Sequence, residues 1–424
     1  MAKGAEATEQ RARVAGIALP RMFASLRHRD YRFLWTTSFL SASARNLQQV
    51  SLGWIAFDLT GSSVLLGTVL FIYQLPFLVF ALPLGALVDR ANRKVLLASS
   101  QFVMAALAAA LAADIALGWV EPWHLMAFAF VSGVENTLIH IIRQSLVPSV
   151  VPKEGLLNAV ALNSAGFDVS RIAAPAVGGF LIAAIGVDGN FGVQAALLLG
   201  VAFASLPMRV GFAPDQVERG TSGLRGLAAD LQEAAAYIWN DRLLRQLFAI
   251  EYAALLFTVP YLAFMPVWVE EVLGREADAL GMLYAAGGVG AVASTLFIAH
   301  RGNVRRRGWW IWGALTLQAL GLTALSQADG YLATLGVLAF VGALNMASFS
   351  LLVSAAQARL PERLQGRGMA IWNLGNASIG IGTLALGFVV ARAGVADAMW
   401  MTGAAMLAFV VVGFAALGRT RGAF

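Results

Sequence analysis

Long apolar runs separated by short polar connections occupy almost the whole chain. Most runs are near or above the ~20 residues that a helix needs to cross a ~30 Å hydrocarbon core. Glycine and other small residues interrupt them, as is usual for helices that pack closely in lipid. They predict twelve membrane-spanning helices, called spans 1 to 12 below, at residues 33–57, 63–87, 95–117, 121–148, 156–186, 190–208, 245–271, 277–299, 309–327, 330–356, 366–393 and 396–417.

Two stretches about half a chain apart share one pattern. Residues 151–187 and 360–395 both open with an apolar residue, a proline and a charge pair, and both close with Gly-Phe, a short apolar run and Gly-Val. The matching positions are Pro152 and Pro361, Gly179 and Gly387, and Gly186 and Gly394. Such a repeat indicates a tandem duplication. We therefore predict an all-α membrane protein with twelve transmembrane helices in two pseudo-symmetric six-helix bundles.

Basic residues gather on alternate connections. Connections 89–94, 152–154, 208–245, 300–307 and 361–367 hold most of the Lys and Arg, and we call their side the basic face. The other connections are acidic or nearly neutral and form the acidic face. The positive-inside rule places the basic face and both termini in the cytoplasm, with the helices in the cell inner (plasma) membrane. The polar start of the chain lacks a signal-peptide pattern.

These sides divide the chain into five parts. They are a cytoplasmic N-terminal segment (1–31), a first six-helix bundle (32–208), a cytoplasmic linker (209–243), a second six-helix bundle (244–418) and a cytoplasmic tail (419–424). Within the linker, residues 223–240 have apolar positions at helical spacing. They predict an amphipathic helix on the cytoplasmic face.

Composition excludes several functional classes. Of the 424 residues, 59% are hydrophobic and 13% charged, whereas soluble domains carry roughly 25% charged residues. The net charge of +6 would suggest nucleic acid binding in a soluble protein, but here the basic residues sit in short loops, so we expect none. There is no Cys and the four His are scattered, so we expect no metal site and no cofactor. Enzyme motifs and an ATP-binding P-loop are absent, so we predict that the protein is not an enzyme.

Charges near the middle of the spans are the first candidates for function, because charge is costly inside a bilayer. Arg45, Glu135, Asp168 and Arg171 lie near mid-span, and Arg143 lies lower in span 4. A carboxylate whose access to an arginine changes with conformation can exchange a proton. Glu135 is therefore our first proton-coupling candidate and Asp168 the second, with the three arginines as charge partners. The alternatives are permanent ion pairs, between Glu135 and Arg45 or between Asp168 and Arg171, which share one helix face.

Uncharged polar and aromatic residues extend this set. Gln48, Gln49, Tyr252, Asn345 and Asn373 are candidates for lining a substrate cavity. The alternative for each is an interhelical hydrogen bond or packing contact, with hydrogen bonds worth under ~1 kcal/mol each.

The loop after span 2 carries a specific motif. Gly85, Asp89, Arg90, Arg93 and Lys94 match the G-x-x-x-D-R-x-x-R-[KR] signature of the major facilitator superfamily. With its duplicated halves, the chain resembles this superfamily over essentially its whole length. The resemblance implies that the motif gates the cytoplasmic side. The second copy, at residues 300–307, keeps the basic residues but lacks the aspartate.

Span 5 is similar to the superfamily's antiporter signature, G-P-x-x-G-G. It stands here as Ala174, Pro175, Gly178 and Gly179, with alanine for the first glycine. This segment, the opening LRHRDYRFLW and the LTGSS turn look like the drug/proton antiporter branch that includes the enterobactin exporter and macrolide efflux proteins. Where that branch usually has Pro-Ala, this chain has Ile-Arg at 142–143. The extra cation would pair with Asp89 or favour anionic cargo.

The resemblance implies a secondary active transporter. It would export a small amphipathic molecule, drug-like or siderophore-like, across the inner membrane by proton antiport and alternating access. The expected partners are the small-molecule substrate, protons and the lipid bilayer, and we expect a monomer. The alternatives are uptake or flipping of a metabolite or lysolipid by the same fold, or a membrane receptor that does not transport.

Overall fold

The computed structural model describes residues 21–152, 155–209, 223–301 and 307–416, and these residues form helices without strands. Our expectations for residues 1–20, for most of the tail, for 210–222 of the linker and for 302–306 of the second gate copy lie outside the described residues.

The first half consists of six long helices. After a short 3₁₀ helix, Arg21–Arg27, come α1 (Arg29–Asp58), α2 (Ser63–Arg90), α3 (Arg93–Ala116), α4 (Pro122–Val150) and one helical stretch, Leu156–Ser205. Gly186 breaks this stretch with φ 80° and ψ 171°, so we treat residues 156–185 as α5 and 187–205 as α6. A residue with a β-carbon rarely adopts this φ.

The second half repeats the plan. The linker contains α7 (Gly223–Asn240), and α8 (Arg242–Thr258) continues through irregular helical turns, Pro260–Phe264, Met265–Val267 and Trp268–Val272. Five more spans follow, formed by α9 (Ala277–Arg301), α10 (Arg307–Leu325), α11 (Tyr331–Arg359), the pair α12 (Gln365–Leu374) and α13 (Asn376–Ala393), and α14 (Val395–Ala416).

Most of these helices have the length and composition of membrane spans. In the described part of the chain, nine helical stretches are long and apolar enough to cross a membrane, and one of them, Ala165–Ser205, covers most of α5 and all of α6. The helices α1 and α10 are not among the nine. The set of long helices matches the twelve predicted spans, with bounds within a few residues.

The predicted connection between spans 5 and 6 is shorter than expected. At residues 186–190 only Gly186 leaves the helical conformation, and Asp188 and Asn190 already belong to α6. The side chain of Asn190 donates to Ser51 Oγ at 2.6 Å and to the Gly178 carbonyl at 3.3 Å. The chain therefore reverses at one glycine, and the first turn of α6 is held to α1 and α5.

Equivalent helices pair in the two halves. In the first half α1 packs on α5, α2 on α4 and α3 on α6; in the second, α8 packs on α13, α9 on α11 and α10 on α14. Pairing in the same order is what a duplicated unit produces. The fold is thus all-α, with two pseudo-symmetric six-helix bundles.

The halves meet through α2 against α13 and α5 against α9. Ser63 Oγ donates to the Gly387 carbonyl at 3.2 Å. A β-carbon on Gly179 would overlap the backbone of Gly281, and one on Gly387 would lie 2.7 Å from the carbonyl oxygen of Ser63. These glycines allow close backbone approach. Both crossings lie toward the acidic face.

The linker helix α7 contacts both halves at the basic face, packing on α2, α8 and α12. The Glu233 carboxylate forms ion pairs with Arg363 at 2.6 Å and with Arg367 at 3.0 Å. Exposed pairs of this kind contribute about 0–1 kcal/mol each. They attach α7 to the second half.

Candidate functional site

A polar cluster lies inside the first half, where α1, α3 and α4 adjoin. Arg45 of α1 donates from Nη1 to Asn136 Oδ1 at 2.7 Å, and its guanidinium lies 5.0 Å from the centroid of the Phe167 ring. Its Nη2 is buried without a hydrogen-bond partner. The arginine is therefore held by a neutral amide and an aromatic face, with one donor unused.

The carboxylate of the cluster is also held by an amide. Gln101 of α3, which is fully buried, donates from Nε2 to Glu135 Oε1. Spans 1 and 4 adjoin, as an Arg45–Glu135 contact requires, but no ion pair within 4.0 Å joins these two described side chains. The permanent ion pair that we considered is thus not formed in this conformation.

A small cavity connects the two charges. It has a volume of about 10 Å³ and is lined by residues that include Arg45, Tyr73, Ser132 and Glu135. The hydroxyls of Tyr73 and Ser132 are buried without a partner. The space holds about one water molecule. The site therefore offers hydroxyl groups and a water-sized space between an arginine and a carboxylate.

One face of α4 extends the cluster toward the basic face. Asn136, His140 and Arg143 follow at helical spacings of four and three residues and so share a face. Arg143 donates from Nη2 to the Thr37 carbonyl at 3.3 Å, while its Nε is buried without a partner. We considered that Arg143 pairs with Asp89. The Asp89 side chain lies outside the described side chains, so this pairing stays a prediction.

The second candidate pair, on α5, is only partly visible. The Asp168 side chain lies outside the described side chains, so its salt bridge with Arg171 stays a prediction. Arg171 is exposed and lies within electrostatic reach of Tyr261 in the other half. Ser170 beside it contacts Ser43 Oγ at 2.6 Å, which fixes this part of α5 against α1.

The antiporter-like motif lies where α5 meets both neighbours. A β-carbon on Gly178 would lie 3.1 Å from Leu47 Cδ2 of α1, and Gly179 faces Gly281 of α9. Pro175 lies one turn earlier, inside the same helix. The motif thus allows α5 to pack closely on both halves.

Comparison with known proteins agrees with this architecture. The profile of the transmembrane secretion effector family matches residues 21–420. This chain belongs to that family. It is a transporter of the major facilitator superfamily and not an enzyme.

Relatives of this transporter include efflux proteins. Macrolide efflux protein A of Streptococcus pyogenes is 20% identical over 290 residues, which is 68% of this chain and 71% of that protein. The staphyloferrin A transporter of Staphylococcus aureus is 21% identical over 270 residues, 63% of this chain and 66% of that protein. They agree with the family match, which shows a multi-pass membrane transporter.

Solved structures show the same fold. A bacterial homologue of the human lysosomal transporter Spinster, in an inward-facing and unoccupied conformation, superposes with a TM-score of 0.73 at 13% identity, covering 93% of this chain and 98% of that one. The nucleoside transporter NupG gives 0.70 at 14% identity, covering 92% and 100%. These similarities support the fold alone.

The predicted gate motif of this transporter spans the junction of α2 and α3. Helix α2 ends at Arg90, and Asn92 caps α3, its side chain accepting from the amide of Lys94 at 3.1 Å. Arg93 starts α3, and Gly85 lies in the last turns of α2. The side chains of Asp89 and Arg90 lie outside the described ones, so the gate role stays a prediction.

The cavity candidates differ in their surroundings. Gln48 is buried and accepts from Gln194 Nε2 at 2.7 Å, while also lining the small cavity beside Arg45. Gln49 is exposed; it follows Arg45 by four residues and precedes Gly53 by four, and Gly53 faces Pro266 of the other half. Gln49 therefore lies one turn from a point where α1 contacts the other half.

In the second half the candidates engage neighbouring helices. The Tyr252 hydroxyl donates to the Ile371 carbonyl, and Asn345 Nδ2 donates to Thr258 Oγ1 at 3.2 Å. The Asn373 carbonyl accepts from Asn376 Nδ2 at 3.0 Å. Tyr252 and Asn345 thus serve in part as interhelical links. A lining role for these residues stays a prediction.

Sequence reasoning missed two members of the cluster, Gln101 and Asn136. Gln101 lies in span 3, which has no charge near its middle, so a search for mid-span charges does not find it. A buried glutamine within an apolar span was the available signal, since an amide in lipid needs a partner. Asn136 follows Glu135 directly and carried no separate signal.

Proposed function

We propose that this transporter exports a small amphipathic molecule in exchange for protons, by alternating access in the inner membrane. The observation that carries the proposal is the setting of Glu135. Its carboxylate lies at mid-membrane depth, bonded to the neutral Gln101 instead of being paired with Arg45. Ionisable groups at this depth are rare and usually functional. A carboxylate outside an ion pair is free to gain and lose a proton as the halves move.

Coupling would follow from competition at this carboxylate. With Glu135 ionised, its oxygens accept hydrogen bonds from cargo or attract a positive group on it. A proton entering from the acidic face neutralises the carboxylate and weakens that contact. Cargo bound from the basic face is then released at the acidic face. Asp168 is the second candidate for this role.

The geometry between the halves supports alternating access. The close contacts at Gly179 and Gly387 hold the helices together toward the acidic face. We infer that the basic face is the cytoplasmic one, with both termini inside, and that this conformation faces inward. Gly85, Asp89, Arg90, Arg93 and Lys94 would then gate the open side.

Relatives suggest the class of cargo. The names of two of them refer to macrolides and to staphyloferrin A. These relatives are 20–21% identical to this chain, so the two molecules are first candidates to test. We propose that the cargo is drug-like or siderophore-like. The exposed Gln49, with Tyr252 and Asn373, would contact this cargo.

Proteoliposomes with an imposed pH gradient test the coupling. We expect gradient-driven accumulation of a labelled macrolide or of staphyloferrin A by the natural protein. Glu135→Gln should reduce this gradient-driven accumulation at least about tenfold. It should keep gradient-independent exchange, since glutamine retains a hydrogen-bonding side chain. Glu251→Gln is the matched control, because it removes a buried carboxylate from the second half. Unchanged coupled transport in both Glu135→Gln and Asp168→Asn would refute the proton assignment.

The direction of transport is tested in membrane vesicles of the two orientations, prepared separately. In inside-out membrane vesicles an exporter accumulates cargo when the lumen is acidified. Accumulation only in right-side-out vesicles would replace export by uptake, our first alternative.

A further inference from the structure

An apolar groove opens on the outer surface of the second half, away from the polar cluster. It lies between α9 and α10, with α11 as its floor, and has a volume of about 560 Å³. Its walls include Phe297, Trp309, Trp310 and Leu317, each with 44–52% of its surface exposed. These large exposed side chains face the surroundings of the helix bundle, which for a membrane protein are lipid.

Small residues keep the groove open. α9 packs on α11 through Gly290 and Gly287, where added β-carbons would meet Ala339 and Leu338 of α11, and α10 packs on α11 and α14. Between α9 and α10 the facing residues include Gly313, whose added β-carbon would have no atom within 4 Å. The two helices thus leave a slot of the kind that a flexible apolar chain fills.

A cation lies at the basic-face end of the groove. Arg301, near the end of α9, is exposed, with its guanidinium carbon 5.2 Å from the Phe297 ring centroid and 5.7 Å from that of Trp310. Among the described residues it forms no ion pair. Tryptophan and arginine at a helix end are typical of the membrane–water interface. The aromatic rings position the guanidinium at the mouth of the groove.

We propose that this groove binds one anionic phospholipid, with its phosphate on Arg301 and an acyl chain along the groove floor. Arginine donates two parallel hydrogen bonds to phosphate oxygens. A neutral apolar occupant has no such acceptor. Basic pockets between transmembrane helices on the cytoplasmic side recognise anionic headgroups in this way. The proposal is independent of the cargo and of the proton site.

Native mass spectrometry of the purified full chain tests it. The delipidated protein is titrated with phosphatidylglycerol and, separately, with phosphatidylcholine. We expect one tightly retained phosphatidylglycerol per chain, with a preference over phosphatidylcholine of about tenfold. Arg301→Gln should bring the preference close to parity. Arg392→Gln, which removes an exposed arginine from the acidic face, should leave it unchanged.

A second pair of variants tests the groove itself. Gly313→Leu fills the slot without a clash and should lower retention of both lipids, whereas Gly336→Leu, at an equally open glycine on α11, should not. The proposal would be overturned if the natural protein retained the two lipids equally, if Arg301→Gln kept the preference, or if Gly313→Leu kept full retention. It would also be overturned if free glycerol phosphate bound as well as phosphatidylglycerol, or if a second copy of the chain covered the groove.

Discussion

Arg45 and Glu135 lie close together, yet each is bonded to a neutral amide. Asn136 holds Arg45 and Gln101 holds Glu135. A direct ion pair would stabilise the ionised carboxylate and restrict its protonation. The two amides therefore separate the charges while satisfying part of their hydrogen bonding.

Substitution of Asn136 tests this separation. Asn136→Leu removes the acceptor for Arg45 Nη1, and the loss of a hydrogen bond to a charged group costs about 1.5–3 kcal/mol. We expect a lower unfolding temperature and a loss of proton-driven accumulation, because Arg45 becomes free to pair with Glu135. Both are measured on the same purified protein, by thermal unfolding and by transport in proteoliposomes.

The matched control is Asn345→Leu, which removes a link between α11 and α8 in the other half. Such interhelical bonds average about 0.6 kcal/mol. It should lower stability slightly and leave proton coupling intact. Equal effects of the two variants on coupling would contradict the role given to Asn136.

Sequence reasoning located the charges of this cluster but not their partners. Arg45 and Glu135 stand out because a charge in an apolar span demands an explanation. Gln101 does not, since an isolated glutamine occurs equally in ordinary interhelical contacts. Which amide lies beside which charge depends on helix rotation and neighbour order, and periodicity in a single chain does not determine either.

At the scale of helices, the glycines of α5 and α9 control how closely the halves approach. The Gly179 and Gly281 backbones touch with no side chain between them. Gly179→Leu should force the helices apart toward the acidic face, lowering the unfolding temperature and slowing transport. Gly192→Leu, at a glycine of α6 with no atom within 4 Å of its added β-carbon, is the control and should change neither. A fully stable and active Gly179→Leu would show that the contact is dispensable.

The helices themselves were predictable, because apolar runs of membrane length have few alternatives. The length of the connection at Gly186 was not predictable, because residues 187–190 include an aspartate, a glycine and an asparagine and resemble a turn. In the structure Asn190 bonds to Ser51 and Gly178, so the polar residue serves packing inside α6. Tertiary hydrogen bonding decided the local conformation there.

At the scale of the whole molecule, the described conformation should admit small reagents from the basic face. Gln49 is exposed one turn before Gly53, which contacts the other half, and the chain contains no cysteine, so Gln49→Cys supplies a single reactive thiol. We expect a small membrane-impermeant thiol reagent to label it in inside-out vesicles and more slowly in right-side-out vesicles.

Val103→Cys, on an exposed position of α3, serves as a control for lipid-facing sites and should react slowly in both. Faster labelling of Gln49→Cys in right-side-out vesicles would mean that the chain rests outward-open.

The duplication and the pairing order of the helices were predictable from the sequence. The side on which the halves meet was not, because inward-facing and outward-facing conformations use the same helices.

The glycine contacts that join the halves consist of backbone atoms and carry no ionisable group. Acid or salt applied at the acidic face thus cannot directly weaken these contacts. The trigger for their release must come from elsewhere, and the charges held apart on α1 and α4 are the groups whose state a proton changes. The close fit of the helices would then keep the halves together, and protonation of one carboxylate would determine when they separate.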